Sequence, residues 1–191
     1  MKKLLLASSL LALSACSATD SSTQTESPSA NRAPTVVNMK SMSNEQATDA
    51  LYTTLIKANY LAEKVAPTRV AIQFGERNFV LQPSMNENGI DRILANRFFA
   101  VHPKLHGSKE LLVLIGKLNQ QLNFAKFFIR ENGAIIQVQS SATFVGEMEL
   151  EELRRFLLWT DNGLTQVGAS FPKDVEKLIK PIPVMQHPQD I

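Results

Sequence analysis

Cysteine is almost absent from this chain of 191 residues, since Cys16 is the only one. A secreted protein with a single thiol cannot close an internal disulfide, which excludes a fold held together by disulfides. The unpaired cysteine therefore needs another explanation, and its place near the N-terminus indicates where to look for it.

An excess of charge of either sign is also lacking. The whole chain has 20 Lys and Arg residues against 18 Asp and Glu residues. Lys2 and Lys3 belong to an N-terminal segment that is expected to be removed, and without them the balance is 18 to 18. A neutral chain with no cluster of basic residues has no electrostatic footprint for a phosphate backbone. Nucleic acid is therefore not an expected partner.

Motifs for metal binding and catalysis are missing as well. His102 and His106 stand four positions apart, a spacing that can place two imidazoles on one helical face for zinc. Pro103 follows directly and argues against a helix there, so both are interpreted as surface loop histidines. No G-x-S-x-G nucleophile elbow occurs in the chain. The sequence therefore predicts no metal site, no bound cofactor, no catalytic residue and no enzyme activity.

The densest group of carboxylates is assigned a structural role. Glu147, Glu149, Glu151 and Glu152 are expected in the first turns of the last predicted helix. Carboxylates interact favourably with the helix dipole at that end, which explains them without an acid–base or metal site.

The N-terminal segment has the order of a bacterial signal sequence. Lys2 and Lys3 precede an almost wholly apolar run from Leu4 to Leu13, which is too short to span a membrane as a mature helix. The segment closes on Leu13-Ser-Ala-Cys16, which resembles a bacterial lipobox. The resemblance implies that residues 1–15 are a removed signal peptide and that Cys16 carries a covalent diacylglycerol.

Anchoring and location follow from the same resemblance. Two or three acyl chains hold a protein on a membrane effectively permanently, whereas one chain does not. Ser17, rather than an aspartate, follows Cys16, which in Gram-negative lipoproteins implies the outer membrane, facing the periplasm. Two alternatives stay open, namely an ordinary secretory signal cut near Ala18 and a cytosolic protein with an apolar N-terminal helix.

Composition divides the remainder into three parts. Residues 16–42 are rich in Ser, Thr, Ala, Asn and Pro and have too little apolar surface to fold, so they are predicted to be a flexible tether. Residues 43–172 have a normal size for one domain with a single core. Residues 173–191 contain several prolines and are predicted to be an irregular tail.

Within residues 43–172 the apolar periodicity alternates between helical and extended patterns. A capping box at Ser43 begins a helix that is expected to reach Val65, and Ser108 caps a second helix. The other elements are predicted as strands over 70–74, 79–81, 93–101, 124–129, 134–139 and 140–145, and a last helix over 148–171. The order α-βββ-α-βββ-α predicts an α+β fold, an antiparallel sheet covered by helices.

Residues 118–136 carry a resemblance to a known family. They read Leu-Asn-Gln-Gln-Leu-Asn-Phe-Ala-Lys-Phe-Phe-Ile-Arg-Glu-Asn-Gly-Ala-Ile-Ile, and a helix containing Leu153-Arg-Arg-Phe156 closes the domain. This helix end, aromatic–basic strand and acidic-Gly hairpin resemble the YbjN-like family over residues 43–172. The resemblance implies a fold like that of type III secretion chaperones, which bind proteins without catalysis, and a label as a sensory-transduction regulator. The lipobox departs from the many cytosolic relatives.

Two groups of residues are candidates for contact with a partner. Asn119 and Asn123 lie one turn apart near the end of the second helix, where they either satisfy backbone groups or face a groove. Phe98-Phe99 and Phe127-Phe128 each lie on a predicted strand, so one ring of each pair should face the core and the other the opposite side. Outward rings would form an apolar contact patch, although covering by a further helix explains them equally well.

The predicted function is a membrane-anchored, non-catalytic protein-binding or regulatory module of the bacterial envelope. A protein is the expected partner, and a homodimer is left open. The alternative is a carrier of a small apolar ligand such as a lipid, which requires a cavity rather than a patch. A hydrolase ranks third because no motif supports it.

Overall fold

The computed structural model describes residues 33–171 and 177–185. Its helices are α1 (Asn44–Lys57), α2 (Lys109–Gln121) and α3 (Leu150–Ala169). Its strands are β1 (Val36–Asn38), β2 (Ala62–Ala66), β3 (Arg69–Phe74), β4 (Arg77–Ser84), β5 (Asp91–Val101), β6 (Lys126–Arg130), β7 (Ile135–Phe144), β8 (Glu147–Glu149) and β9 (Ile179–Pro181). The predicted signal peptide, Cys16, residues 17–32 of the predicted tether, and residues 172–176 and 186–191 lie outside the described residues.

The main sheet is antiparallel throughout and runs in the order β2-β3-β4-β5-β7-β6. Strand β9 pairs with the end of β5, on the side where β4 pairs with the earlier part of the same strand. A separate two-stranded ribbon joins β1 to β8. The chain is therefore α+β with an antiparallel sheet and three helices in its described part, which confirms the predicted fold class.

One face of the sheet packs against the helices. Strand side chains alternate between faces, so Ile72, Phe79 and Ile93 point to the same side and join the core with α1 and α3. This face is called the inner face below, and the opposite one the outer face. Helix burial follows the predicted stripes, as with Leu51 and Leu55 on α1. Burial of large apolar side chains supplies the main stabilisation, at about 25 cal/mol per Å² of surface removed from water.

The interior is divided into two apolar clusters. The first combines α1, β1, β3, β4 and the start of α3, and the second combines α2, β6, β9 and the end of α3. Polar side chains occupy the boundary on three elements. Arg97 lies between Ala95 and Phe99 on β5, and Ser140 lies on β7. Thr160 and Asp161 stand at the middle of α3, where its contacts pass from the first cluster to the second.

Helix α1 ends earlier than its apolar pattern predicts. The expected helix up to Val65 is wrong beyond Lys57, because Asn59 takes a positive φ of 63° and turns the chain. The amide of Tyr60 then donates to Leu55 O at 2.9 Å and that of Asn59 to Ile56 O at 3.0 Å. These two bonds form a Schellman cap, in which asparagine replaces the usual glycine. The released segment forms edge strand β2.

The predicted order of helices and strands differs from the structure at several further points. Four strands, not three, separate α1 from α2, and the separate strands predicted over 134–139 and 140–145 are one continuous β7. Short strands β1 and β9 lie in segments that the composition predicts to be the tether and the irregular tail. Val37 and Met39 are fully buried, so the folded part begins before the predicted boundary at residue 43.

The start of α3 corrects one further expectation. Glu147 and Glu149 belong to β8, whereas only Glu151 and Glu152 lie in the first turn of the helix. Gly163 does not break the helix, which continues to Ala169. A Cβ at Gly163 would lie 2.7 Å from the ring of Phe124, so the missing side chain makes room for that aromatic contact.

Helix α2 is covered on one side only. The width of its apolar stripe predicts cover on more than one side, but Leu112 is 58% and Val113 45% exposed in the described structure. The buried residues of this helix are Leu111, Ile115 and Leu118. Among the described helices, none combines the length and the apolar character that crossing a membrane requires.

Candidate functional site

The outer face of the sheet is the candidate binding surface. All three helices contribute their buried residues to the clusters on the inner face. Within residues 33–171 and 177–185, no helix packs on the outer face. Sheets with one face away from the core normally carry polar residues there, so apolar residues on that side call for an explanation.

Phe98 and Phe128 lie on the outer face, one on each side of Gln137. Strand pairing sets Phe98 opposite Gln137, and Gln137 opposite Phe128, so the three side chains form a row across β5, β7 and β6. Directly opposite side chains in such pairs are about 5 Å apart at Cβ. Both rings are only half-buried. The row therefore presents two accessible aromatic surfaces with an amide between them.

A hydrogen-bond network fixes the polar groups beside this row. The Nε2 atoms of Gln137 and Gln139 both donate to Oδ1 of Asn96, at 2.8 and 3.0 Å. The Nδ2 atom of Asn96 donates to Val80 O at 3.3 Å, and this asparagine is only 3% exposed. The Nε atom of Arg130 donates to Oε1 of Gln137 at 2.8 Å. These bonds hold the amides in fixed orientations, which reduces the entropy lost on binding.

The network gives this surface a positive border. The guanidinium of Arg130 lies over the ring of Phe128, 5.1 Å from its centroid, in a cation–π contact. Lys126 and Arg69 are exposed on the same face. The surface thus combines aromatic rings, oriented amides and basic side chains. Arginine and aromatic residues are enriched in protein interfaces, whereas lysine is not.

The two other candidate phenylalanines face the helices. Phe127 is 5% exposed and belongs to the second cluster, and Phe99 packs against the same cluster from β5. Each adjacent pair therefore divides between the two faces, as strand alternation predicts. Phe99 and Phe127 are packing residues, and Phe98 and Phe128 alone reach the outer face.

Asn119 binds the backbone of the edge strand. Its Oδ1 accepts from the amide of Phe127 at 2.8 Å, and its Nδ2 donates to the carbonyl of Phe127 at 2.9 Å. A carboxamide has the donor and acceptor of a peptide group, so Asn119 takes the place that a next strand would occupy beside β6. Such blocking of edge strands protects sheets from unwanted pairing. Asn119 therefore satisfies backbone groups, which is one of the two interpretations that the sequence allows, and it does not face a groove.

Asn123 is placed differently from Asn119. It is exposed in a groove between the end of α2 and the middle of α3, beside Phe124 and Trp159. The two rings meet edge to face with centroids 5.6 Å apart. The asparagines that the sequence pairs by spacing are therefore not brought together at one site.

The two loop histidines serve local backbone groups. Nδ1 of His102 accepts from the amide of Lys104 at 3.2 Å, and Nε2 of His106 lies 2.8 Å from Val101 O. Both residues are exposed, next to a single turn of 3₁₀ helix at Pro103–Leu105. Across the described ranges, no three His, Cys, Asp or Glu side chains are grouped as a metal would require.

A half-buried cluster of charges was not found by sequence reasoning. Nη1 of Arg77 and Nη1 of Arg97 both donate to Oδ1 of Asp161, at 2.8 and 3.2 Å. Arg97 extends between the rings of Phe79 and Phe99, with centroids 5.5 and 5.3 Å from its guanidinium carbon. The only signal in the sequence is Arg97, a charged residue at a strand position that faces the helices. Its partner Asp161 stands 64 positions away, so no local motif contains the pair.

An apolar cavity lies under the end of α3. Its volume is about 110 Å³, and its walls are Leu118, Phe127, Leu164, Phe171 and Ile179 with their apolar neighbours. Sites for small molecules usually measure about 300–1,000 Å³. The cavity is therefore too small to enclose a lipid chain in this conformation.

Comparison with known proteins adds no relative. No family model, no curated protein and no solved structure matches this chain. Any functional conclusion therefore rests on the sequence and on the side-chain geometry described above.

Proposed function

We propose that the chain is a membrane-anchored, non-catalytic protein-binding or regulatory module of the bacterial envelope. The observation that carries this proposal is the outer sheet face, where Phe98 and Phe128 flank Gln137 without a covering helix in the described structure. Aromatic side chains on an accessible, preorganised face are typical of contact sites between proteins.

A protein fits this surface better than a small apolar ligand does. The outer face is open and combines rings with hydrogen-bonding amides, whereas a lipid carrier needs an enclosed apolar volume. The apolar cavity offers about 110 Å³, below the 150 Å³ or so of a cavity that accepts benzene. Lipid transport is therefore the weaker of the two functions.

We further propose membership of the YbjN-like family, with a type III secretion chaperone-like arrangement. Support comes from residues 118–136, which form the end of α2, the turn into β6 and the hairpin into β7. Asn132 in that hairpin has a positive φ of 52° and Gly133 one of 100°, the conformation for which Asn and Gly are suited. This part of the proposal would assign the chain a regulatory role through protein binding.

Membrane attachment completes the proposal. The lipobox-like Leu13-Ser-Ala-Cys16 supports a diacylglycerol on Cys16, and Ser17 supports the outer membrane with the domain in the periplasm. No further cofactor is proposed.

Acylation is tested by replacing Cys16 with serine. The wild-type chain should incorporate radiolabelled fatty acid and sediment with membranes, and Cys16→Ser should abolish the label because the hydroxyl cannot accept the lipid. Ser17→Ala is a matched control that should keep the label. Label that persists in Cys16→Ser would show that the cysteine is not the acylated residue.

Partner capture is tested on the outer face. Phe98→Ser and Phe128→Ser should each reduce cross-linked partner recovery from envelopes by at least about tenfold, since central aromatics often dominate binding energy. Trp159→Ser is the control, because this ring is 55% exposed but lies on α3, in the helical layer.

Thermal melts of each variant are needed beside the cross-linking experiments, to show that the variant is folded. Loss of capture in a folded Phe98 or Phe128 variant supports the surface, and recovery of a dimer of the chain alone would identify the partner as a second copy. Equal capture by all three variants would contradict the proposal.

A further inference from the structure

A cleft opens along one edge of β5, between the two strands β4 and β9 that pair with this edge. Strand β4 pairs with β5 as far as Asn96, and β9 takes over at Phe99, so an interval separates them. The cleft measures about 630 Å³, which lies within the usual range of small-molecule sites. Its walls include Arg77, Arg97, Phe98, Leu164 and Pro181. It thus combines charged and apolar sides.

Two arginines that line this cleft share a single carboxylate on α3. Arg77 and Arg97 share one carboxylate oxygen of Asp161, so two cations meet one anion. The side chain of Arg97 is 10% exposed. Its only hydrogen bond to a described residue is the one to Asp161, although a guanidinium has five donors. Donors of a nearly buried cation are therefore left for another acceptor.

The environment of the Arg97 guanidinium favours the binding of an additional hydrogen-bond acceptor that carries negative charge. Burial lowers the pKa of its guanidinium, Asp161 raises it in part, and Arg77 lowers it again. The group stays charged, because arginine pKa values lie far above neutrality. A buried charge that is incompletely paired is costly, so an added anion would stabilise the site.

The remaining groups limit the kind of anion. Asp161 and the exposed Glu76 at the rim would repel a dianion, while one negative charge matches the surplus of the arginine pair. The apolar side chains of Leu164 and Pro181 line the same cleft and favour an anion that carries an apolar group.

We propose that this cleft binds a carboxylate that is joined to an apolar side chain. Arg97 and Arg77 bind the carboxylate, and Leu164 and Pro181 contact the apolar group. This is the chemistry of an N-acylated apolar amino acid, either free or at the C-terminus of a polypeptide, since a free ammonium group would be repelled by the two arginines. Phe98 borders the cleft, but its ring belongs to the protein-binding surface on the outer face.

The test uses the mature chain carrying Cys16→Ser, which leaves it unacylated. Binding of N-acetyl-leucine, N-acetyl-leucinamide, a hexapeptide ending in leucine and octanoate is followed by NMR titration. The free acid should bind at least about tenfold more tightly than its neutral amide, as expected for a charge-assisted pair in a cleft. Tighter binding of the hexapeptide than of N-acetyl-leucine would assign the site to polypeptide ends, and the reverse to free molecules.

Variants connect the binding to the cleft. Arg97→Gln should abolish the preference for the acid, and Arg77→Gln, whose side chain is already 36% exposed, should reduce it in a chain that still folds. Arg97→Gln should weaken the binding of octanoate as well, because octanoate is a carboxylate with an apolar chain. Arg155→Gln, at a 74% exposed side chain on α3, is the matched control and should change nothing. Equal binding of acid and amide, or an unchanged preference in folded Arg77→Gln, would overturn the proposal.

Discussion

Replacing Asp161 with asparagine should lower the free energy of unfolding by about 3 kcal/mol. Its carboxylate is 19% exposed and holds Arg77 and Arg97, the second of them 10% exposed. Removing the anion leaves the Arg97 guanidinium among aromatic rings without a counter-charge, and loss of one partner of a buried pair typically costs about 3–5 kcal/mol. The lower end applies here because Arg77 is partly in solvent.

Urea denaturation of Asp161→Asn measures this loss of unfolding free energy. Two further variants serve as a control and as a test of rescue. Glu151→Gln removes a carboxylate that pairs with Arg154 and Arg155 on the surface of α3, so little change is expected. Arg97→Met combined with Asp161→Asn removes both charges, and should recover much of the stability because an apolar side chain fits between Phe79 and Phe99. Equal stability of Asp161→Asn and Glu151→Gln would show that the charge cluster is not buried as described.

Replacing Phe127 with alanine should cost about 3–5 kcal/mol of unfolding free energy, the usual size for a buried aromatic. The ring is 5% exposed within the second cluster, beside Leu118 and Val138. Phe128, the next residue of β6, is half-buried on the outer face, where its loss should cost about 1 kcal/mol or less in cross-strand contacts. The two phenylalanines are neighbours on one strand, so the expected difference in unfolding free energy comes only from the face of the sheet on which each ring lies.

Chemical denaturation of Phe127→Ala and Phe128→Ala checks this difference on one strand. Phe99→Ala and Phe98→Ala repeat the comparison on β5, with the inward ring again the more costly. Equal losses at all four positions would mean that the outer rings are also core, and the proposed binding surface would then be abandoned.

Local signals predicted the elements whose determinants are close in sequence. Ser43 forms the capping box with Gln46, Ser108 caps α2, and the turn at Asn132-Gly133 has the positive φ values that these residues favour. The alternation of Phe98 with Phe99, and of Phe127 with Phe128, also needs only the two-residue period of a strand. Fold class and the division of the aromatic pairs therefore followed from sequence.

Features that depend on distant partners did not follow. Strand β1 is short and lies in a polar segment, and it forms because Val37 pairs with Met148, far along the chain. The apolar residues after Lys57 continue a helical period, and only the backbone turn at Asn59 ends α1. The cluster of Arg77, Arg97 and Asp161 joins two strands and a helix, so no local spacing contains it.

The polar boundary between the apolar clusters affects the cooperativity of unfolding. Side chains pack continuously within each cluster, but at the boundary Ser140 and Thr160 have buried hydroxyl oxygens without a partner among the described residues. Regions with fewer stabilising contacts can open separately from the rest of a fold. The α2 end of the molecule can therefore lose its packing while the α1 end stays folded. An anion held at Arg97 would join the two ends and make them unfold as one unit.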